Sequence, residues 1–538
     1  MIEVFDTTLR DGTQQEGVSY STADKLNITR RLDELGFDYI EGGWPGSNPK
    51  DIEYFSRAGE LRLENASVVA FGSTRKPGIS AGEDENLQKI VEAGVDVAAI
   101  FGKSWNLHVL EALGTELEEN LSMIADSIRF LKDHDLEVIF DAEHFFAGFN
   151  SSPEYALKVA RTAEEAGADR LVLCDTNGGF LPEQIREVIS SVRAECSVPL
   201  GIHTHNDGGL AVANSLAAVE EGADHIQGTM NGYGERCGNA DLCQLLPNLE
   251  LKKGYQVLGE EGLEKLTPAA RYISELGNLN PPTTSPYVGE SAFAHKGGIH
   301  VSAVMKNPET YEHVSPESVG NQRRILVSEL SGRSNLEYKA EELGIDLEDR
   351  EETGEILTRI KELEHEGYNF EGAEASLELL IERIRGEQTR LFHLDSVKIF
   401  TDKTGAGQPK SEATIKVSVH DQKMHTAAGG VGPVNALDKA LRKALMEFYP
   451  ALADIYLLDY KVRVINSSEG TGARVRVLVK SSNGTTSWST VGVSANIIEA
   501  SWQAVVESIE YGIRLQMDGD EEGSLEERQK EGVTADEK

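Results

Sequence analysis

Residues 199–209, PLGIHTHNDGG, open on a proline, run through an apolar stretch and reach two histidines one residue apart, His203 and His205, before a turn of Asn, Asp and Gly. Read as a strand over 199–206, the segment turns both imidazoles to one side and Thr204 to the other, because side chains alternate faces along an extended chain. Two ring nitrogens facing one point form a metal-ligand arrangement. The competing reading is a pair of histidines capping the helix that follows. Taken alone, the segment leaves both open.

Outward from this segment, the first 250 residues alternate short β-branched runs with amphipathic helical stretches. Strands are expected at 2–5, 37–42, 67–72, 96–102, 136–143, 169–176, 199–206 and 224–232. Between them lie helices such as STADKLNITRRLDELG (21–36) and SPEYALKVARTAEEAGA (152–168), opening on a capping Ser and closing at or near Gly. Eight strand-helix repeats of this size predict an α/β fold, a (β/α)8 TIM barrel, with an open doubly wound sheet as the alternative. Polar residues gather just after the strands: Arg10 and Asp11, Glu41, Glu143 and His144, DTNG at 175–178, HTHND at 203–207 and NGYGERCGN at 231–239. In a closed barrel those positions share one rim, where such folds keep their active sites. On that rim Asp11 can add a carboxylate oxygen to His203 and His205, and Asn239 an amide oxygen. Two nitrogens and two oxygens with open positions suit Mg2+, Mn2+ or Zn2+. A zinc site built on Cys237 and Cys243 fits neither spacing nor partners.

The chain has 538 residues, with 52 Lys and Arg against 90 Asp and Glu, a formal net charge of −38. That balance argues against nucleic acid or an anionic membrane as partner and predicts a highly solvated surface, the kind that suits a salt-adapted (halophilic) host. Four cysteines, Cys174, Cys196, Cys237 and Cys243, form no CxxC pair and are too few for a disulfide framework. The start, MIEVFDTTLRDG, carries neither a basic region nor an apolar signal core, and no transmembrane run is present, so a cytoplasmic protein is expected.

Four regions are expected: a catalytic barrel over 1–270, a helical linker subdomain over 271–390 that completes the active site, an α+β domain over 391–515, and a disordered acidic tail over 516–538. In the third, LDSVKIF, EATIKVSVH, IYLLDYKVRVI, GARVRVLVKS and TSWSTVGVS read as strands, with helices at 433–448 and 495–512. AAGGVGPVN (427–435) reads as a glycine-rich turn that can offer backbone amides at a helix N-terminus, or serve only as a tight turn.

FDTTLRDGTQ (5–14), DTNG (175–178), HTHND (203–207), GERCGNADL (234–242) and HKGGIH (295–300), in this order, resemble the DRE-TIM metallolyase superfamily, in its alpha-isopropylmalate/homocitrate synthase family. The resemblance runs from residue 1 to about 335, and residues 391–515 are similar to the regulatory (LeuA-type) dimerisation domain of 2-isopropylmalate synthase. EGGWPGSNPKD (41–51) and VGNQRRILVSELSGRSN (319–335) most resemble the citramalate-forming members. The resemblance implies a metal-dependent acyltransferase that joins acetyl-CoA to pyruvate in isoleucine biosynthesis, with 2-oxoisovalerate or 2-oxoglutarate as rival acceptors. It implies Arg10, Glu143 and His300 as catalytic residues, with His295 competing for the histidine role, and Arg10, Glu41 and Thr176 as substrate contacts. It also implies a homodimer inhibited by isoleucine, for which Gly429, Gly430 and Gly432 of the glycine-rich turn are the candidate regulatory contacts. A tyrosine that isopropylmalate synthases place beyond HKGGIH is expected to be Asn321 here. Thr204 is expected to pack or cap, no GxGxxG loop marks a CoA pocket, and a non-catalytic amino-acid sensor on a decayed barrel is the reading from another class.

Overall fold

The computed structural model describes residues 2–533, apart from 329–330, 343–344, 346, 348, 387–389, 404–407, 421, 466–469 and 471, with side chains as far as residue 517. Eight parallel strands close into a barrel in sequence order: β1 (Glu3–Asp6), β2 (Tyr39–Gly43), β3 (Ser67–Ser73), β4 (Val97–Lys103), β5 (Glu137–Glu143), β6 (Arg170–Asp175), β7 (Leu200–Thr204) and β8 (His225–Gly228), with β8 pairing back to β1. The open-sheet alternative is thereby removed. Closure leaves no free edge, and the strands, covered by helices outside and side chains inside, can be apolar on both faces. The barrel interior is filled by Phe5, Val69, Phe71, Val97, Ala99, Ile139 and Val172, while Ile28, Leu32, Ile124, Ile128 and Val159 of the helices seal the outside.

The helices begin and end where local chemistry directs. Ser21 and Asp24 form a reciprocal capping box at the start of the helix Thr22–Leu35, and Gly36 ends it in the left-handed conformation. Strand eight is shorter than its sequence suggests. Thr229 follows Gly228, and the chain then turns through a 3-10 segment, Met230–Gly232, with Asn231 at φ +61°.

The chain divides into two compact units, Met1–Ala294 with Glu312–Arg324, and His295–Tyr311 with Ile325–Lys538. The second contains the helices Gly298–Val304, Arg333–Glu342, Arg350–Glu366 and Glu374–Arg385, then two successive β-β-β-α modules. In the first module the strands His393–Asp402, Lys410–Val419 and Gln422–Gly430 pair antiparallel under the helix Pro433–Leu445. In the second, Tyr456–Val464, Val475–Ser482 and Ser487–Ser494 pair likewise with the helix Ile497–Val533.

Two expectations change here. Ala427–Gly430, read as part of a turn, belong to the strand Gln422–Gly430: their small side chains give little strand signal, but their backbone pairs in register with Ser411–Thr414. The last helix continues to Val533, where a disordered tail was expected from 516. Glu, Leu, Arg, Gln and Lys in GSLEERQKE are good helix formers, a preference that an argument from low apolar content overlooks. Residues 534–538 lie outside the described residues.

Candidate active site

The site begins where β1 ends. Asp6, fully buried, accepts from the Thr8 amide at 3.0 Å and the Thr8 hydroxyl at 2.7 Å, and that hydroxyl accepts from the Met230 amide at 2.8 Å. The turn so fixed presents Arg10 and Asp11 to the barrel mouth. Arg10 Nε donates to Glu41 Oε2 at 2.7 Å, its Nη1 lies 3.2 Å from Asp11 Oδ2, and its guanidinium sits 3.8 Å over the Phe71 ring. Glu41, in β2 and wholly buried, also accepts from the Thr7 hydroxyl. Burial opposes a charge on Arg10, yet Glu41 and Asp11 outweigh it and push its pKa up. Burial likewise opposes ionisation of Asp11, but Arg10, His203 and His205 hold its carboxyl below the usual range.

Asp11, His203 and His205 come together, with ligand atoms all within 4.8 Å of one another. The two Nε2 atoms are 3.3 Å apart and lie 3.5 Å and 3.8 Å from Asp11 Oδ2. Burial and the neighbouring His205 push His203 down to about 4, and burial lowers His205 as well, so both rings are neutral at pH 7 with lone pairs available. Thr204 faces away, bonding Ala211 O and Ser215 Oγ at 3.0 Å each. Asn239 is bridged to His205 through the backbone; its Nδ2 donates to Tyr233 O at 3.0 Å, which leaves Oδ1 buried without a partner. Gly238 makes this turn possible: it sits at φ +86°, and a Cβ there would collide with the Gly232 carbonyl. Asp11 Oδ1 is a second buried oxygen without a partner among the described residues. Two orphaned oxygens beside two neutral imidazoles fit a divalent cation, since burying such atoms unpaired is otherwise costly.

Several members of the rim escaped the sequence reading. His203 Nδ1 lies 3.0 Å from Gln227 Oε1, and Gln227 Nε2 donates to Asp141 Oδ1 at 3.0 Å. This fixes Nδ1 as the donor and frees Nε2, the usual second-sphere arrangement of a ligating histidine. Arg236 chelates Asp207 at 2.7 and 2.9 Å and donates to Thr176 O at 2.8 Å, while Thr176 Oγ1 accepts from the His144 amide at 2.9 Å. The loops after β5, β6, β7 and β8 are thus tied together. Glu143 ion-pairs with Lys103, its register partner on β4. Trp44, Phe71 and Phe101 pack ring to ring at 5.6–5.9 Å and wall the mouth beside Arg10.

His300 belongs to the second unit, on the helix Gly298–Val304, exposed, with its ring 4.4 Å from that of Tyr311. Tyr311 is therefore the aromatic hydroxyl beside this histidine. Asn321, where the sequence comparison put the missing tyrosine, is a structural clamp that donates to Tyr287 O at 2.7 Å and Gly289 O at 3.0 Å. Gly429 and Gly430 line a cavity of about 670 Å3 with Phe400, Lys410 and Lys439; Gly432 caps the helix Pro433–Leu445 and is not among the lining residues.

The HMGL-like family matches residues 1–273, the homocitrate synthase post-HMGL domain-like family 287–368, and the LeuA allosteric (dimerisation) domain 371–513. (R)-citramalate synthase of Aquifex aeolicus is 53% identical over 527 residues, 97% of this chain and 99% of the relative. The chain belongs to the HMGL-like family of (R)-citramalate synthases. In this family the Synechocystis (R)-citramalate synthase is 55% identical over 95% of this chain and 96% of its own. Among solved structures, an HMG-CoA lyase from Pseudomonas aeruginosa is similar over 52% of this chain and 94% of its own, with a TM-score of 0.45 and 22% identity.

Proposed function

We propose that the protein condenses acetyl-CoA with pyruvate to give citramalate and CoA, the entry to isoleucine biosynthesis from pyruvate. The observation that carries the reading is the Asp11, His203 and His205 cluster beside an Arg10 locked by Glu41, on the barrel rim. Asp11, His203, His205 and Asn239 would hold a divalent ion, Mg2+, Mn2+ or Zn2+, which when bound acts as a Lewis acid toward a 2-oxo acid. Arg10 and Thr176 meet the substrate, Arg10 stabilising the negative charge that forms when the ketone oxygen becomes an alkoxide. Glu41 frames the substrate through Arg10, which it holds in place. The aromatic wall of Trp44, Phe71 and Phe101 limits the side chain the acceptor can carry, which favours a methyl group over an isopropyl group.

Glu143 and His300 share the proton transfers: one removes a proton from the acetyl methyl group so that the carbon can attack, and water then cleaves the citramalyl thioester to release CoA. The regulatory reading is that the second unit dimerises and that isoleucine binds near Gly429, Gly430 and Gly432, lowering activity. The four cysteines are free, and among the described residues no helix is long and apolar enough to cross a membrane. Both suit a cytoplasmic enzyme, and the net charge of −38 suits activity in concentrated salt.

A thiol-release assay tests this: acetyl-CoA, Mn2+ or Mg2+, and a panel of pyruvate, 2-oxobutyrate, 2-oxoisovalerate and 2-oxoglutarate, with and without isoleucine, from low to multimolar KCl. Pyruvate should be fastest and isoleucine inhibitory. Fastest turnover of 2-oxoisovalerate would overturn the acceptor assignment, and no CoA release with any acceptor would overturn the reaction.

A further inference from the structure

The rim after β4 and β5 carries a second cluster that the reaction as written leaves unused. Ser104 and Trp105 follow β4, His108 opens the turn His108–Leu113, and His144 follows Glu143. The three rings close a triangle, with centroids 4.0 Å apart for His108 and His144, 5.1 Å for Trp105 and His108, and 5.9 Å for Trp105 and His144. Four polar atoms of the cluster, Ser104 Oγ, Trp105 Nε1, His108 Nδ1 and His144 Nδ1, are buried with no hydrogen-bonding partner among the described residues. Ser104 is fully buried and His144 is 9% exposed. A single orphan of this kind is uncommon, and four in one cluster mark a place built to meet a polar ligand.

The backbone points the same way. His144 is held at φ +58°, a left-handed conformation that a residue with a β-carbon keeps only where its surroundings impose it. Its amide is spent on Thr176 Oγ1, so the strain serves to aim the imidazole. Gly148, on the helix Phe145–Ser151, approaches the Ser104 carbonyl so closely that no Cβ would fit, and helix and loop pin one another. Burial, reinforced by His108, pushes His144 down to about 3, and burial with the nearby Lys103 lowers His108, so the rings are uncharged hydrogen-bonding groups.

We infer that this cluster receives the acyl thioester, with the Trp105 indole N–H and the Nδ1–H tautomer of His144 donating to the thioester carbonyl oxygen. The inference rests on the acetyl-CoA reading above. When a methyl proton passes to the catalytic base, the C–H electron pair becomes the enolate C=C bond and the carbonyl π pair moves onto oxygen. Fixed neutral donors at that oxygen stabilise the charge as it forms, without water having to reorganise. The Glu143–Lys103 pair, immediately adjacent in both strands, puts a carboxylate beside the methyl carbon of a thioester so held.

Two variants test the cluster in the full-length enzyme. Trp105→Phe keeps a ring and removes only the N–H, and His144→Asn keeps a residue that tolerates positive φ. Each should lower kcat about 100-fold, leaving the KM for pyruvate and the Mn2+ affinity of the protein unchanged. The same loss should appear with acetyl-CoA and with the short thioester S-acetyl-N-acetylcysteamine. Unchanged kcat in both folded variants, a loss confined to the pyruvate KM, or a loss that vanishes with the short thioester would overturn the inference while leaving the condensation reading intact. A wild-type enzyme that releases no CoA with any 2-oxo acid would overturn both.

Discussion

The two ends of the barrel are built from the same residue types and put to opposite uses. At the C-terminal end Arg10 clamps Glu41 and Asp11 beside His203 and His205; at the N-terminal end Arg170 clamps Glu3 and Glu137 beside His225. The N-terminal cluster is nearly saturated. Arg170 bonds both oxygens of Glu3 and one of Glu137, Tyr39 donates to that same Glu137 oxygen at 2.9 Å, the guanidinium stacks 5.2 Å from the Tyr39 ring, and His225 Nδ1 lies 3.4 Å from Glu3; of the buried atoms of these side chains, only His225 Nε2 lacks a partner among the described residues. Among the described residues, the C-terminal cluster leaves Asp11 Oδ1, Glu41 Oε1, His205 Nδ1 and Asn239 Oδ1 without a partner. One end converts its polar groups into stability, and the other holds them in reserve for a ligand.

The sharpest way to break this comparison is to delete one group at each end. His205→Ala should lower kcat/KM at least about 1000-fold by removing a proposed metal ligand, with no loss of thermal stability in chelator. Arg170→Met should do the reverse. Stranding Glu3 and Glu137 should cost about 2–3 kcal/mol, below the value for a fully buried pair because these groups are partly exposed. The melting temperature should fall roughly 5 °C, while kcat/KM per folded molecule stays within twofold. A tenfold loss of kcat/KM in folded Arg170→Met, or unfolding of His205→Ala, would show that the two ends are not separable.

What the sequence made legible and what it hid divide along physical lines. The eight strands could be read because each carries its own apolar run and punctuation, and Asp11, His203, His205 and Asn239 because each follows a strand within a distinctive local motif. Lys103 and Glu143 are 40 residues apart and meet only because β4 and β5 pair in that register. Gln227 faces His203 for the same reason, across β7 and β8. Trp105 and His108 sit on a turn whose sequence, SWNLHVLEAL, reads as an ordinary amphipathic stretch. The strand Gln422–Gly430 was hidden by its small side chains. Partners created by register have no spacing signature along one chain, so the proposed ligands could be picked out and the groups that support them could not.

Gln227 gives a gentler probe of the C-terminal end. Gln227→Leu removes the acceptor that holds His203 in the Nδ1–H form and the donor to Asp141, a carboxyl that burial and the nearby Glu41 push up to about 8. Mn2+ binding, read by calorimetry on the chelator-stripped protein, should weaken about 10- to 100-fold, with the fold intact. Unchanged affinity would mean that the histidine is oriented by packing alone.

The smallest effect separates the two ends by pH. Burial and His205 hold His203 down to about 4 from an ordinary 6.5, so the folded state disfavours its proton. Its contribution to stability is complete above pH 6.5 and is lost as pH falls from 6.5 to about 4, where the unfolded chain takes up the proton first. Glu3 behaves in a lower window: burial opposes its ionisation, but His225 and Arg170 prevail and bring it from 4.5 down to about 2, so its contribution is lost only between those values. In the chelator-stripped protein, His203→Gln should therefore flatten the fall of melting temperature between pH 6.5 and 4, and Glu3→Gln the fall between 4.5 and 2. Glu3→Gln should if anything steepen the upper window, because His225, already lowered by burial, loses the acid that raises it. A Glu3→Gln protein that instead loses its pH dependence between 6.5 and 4.5 would mean that the N-terminal cluster, not the reserved histidines, governs the upper window.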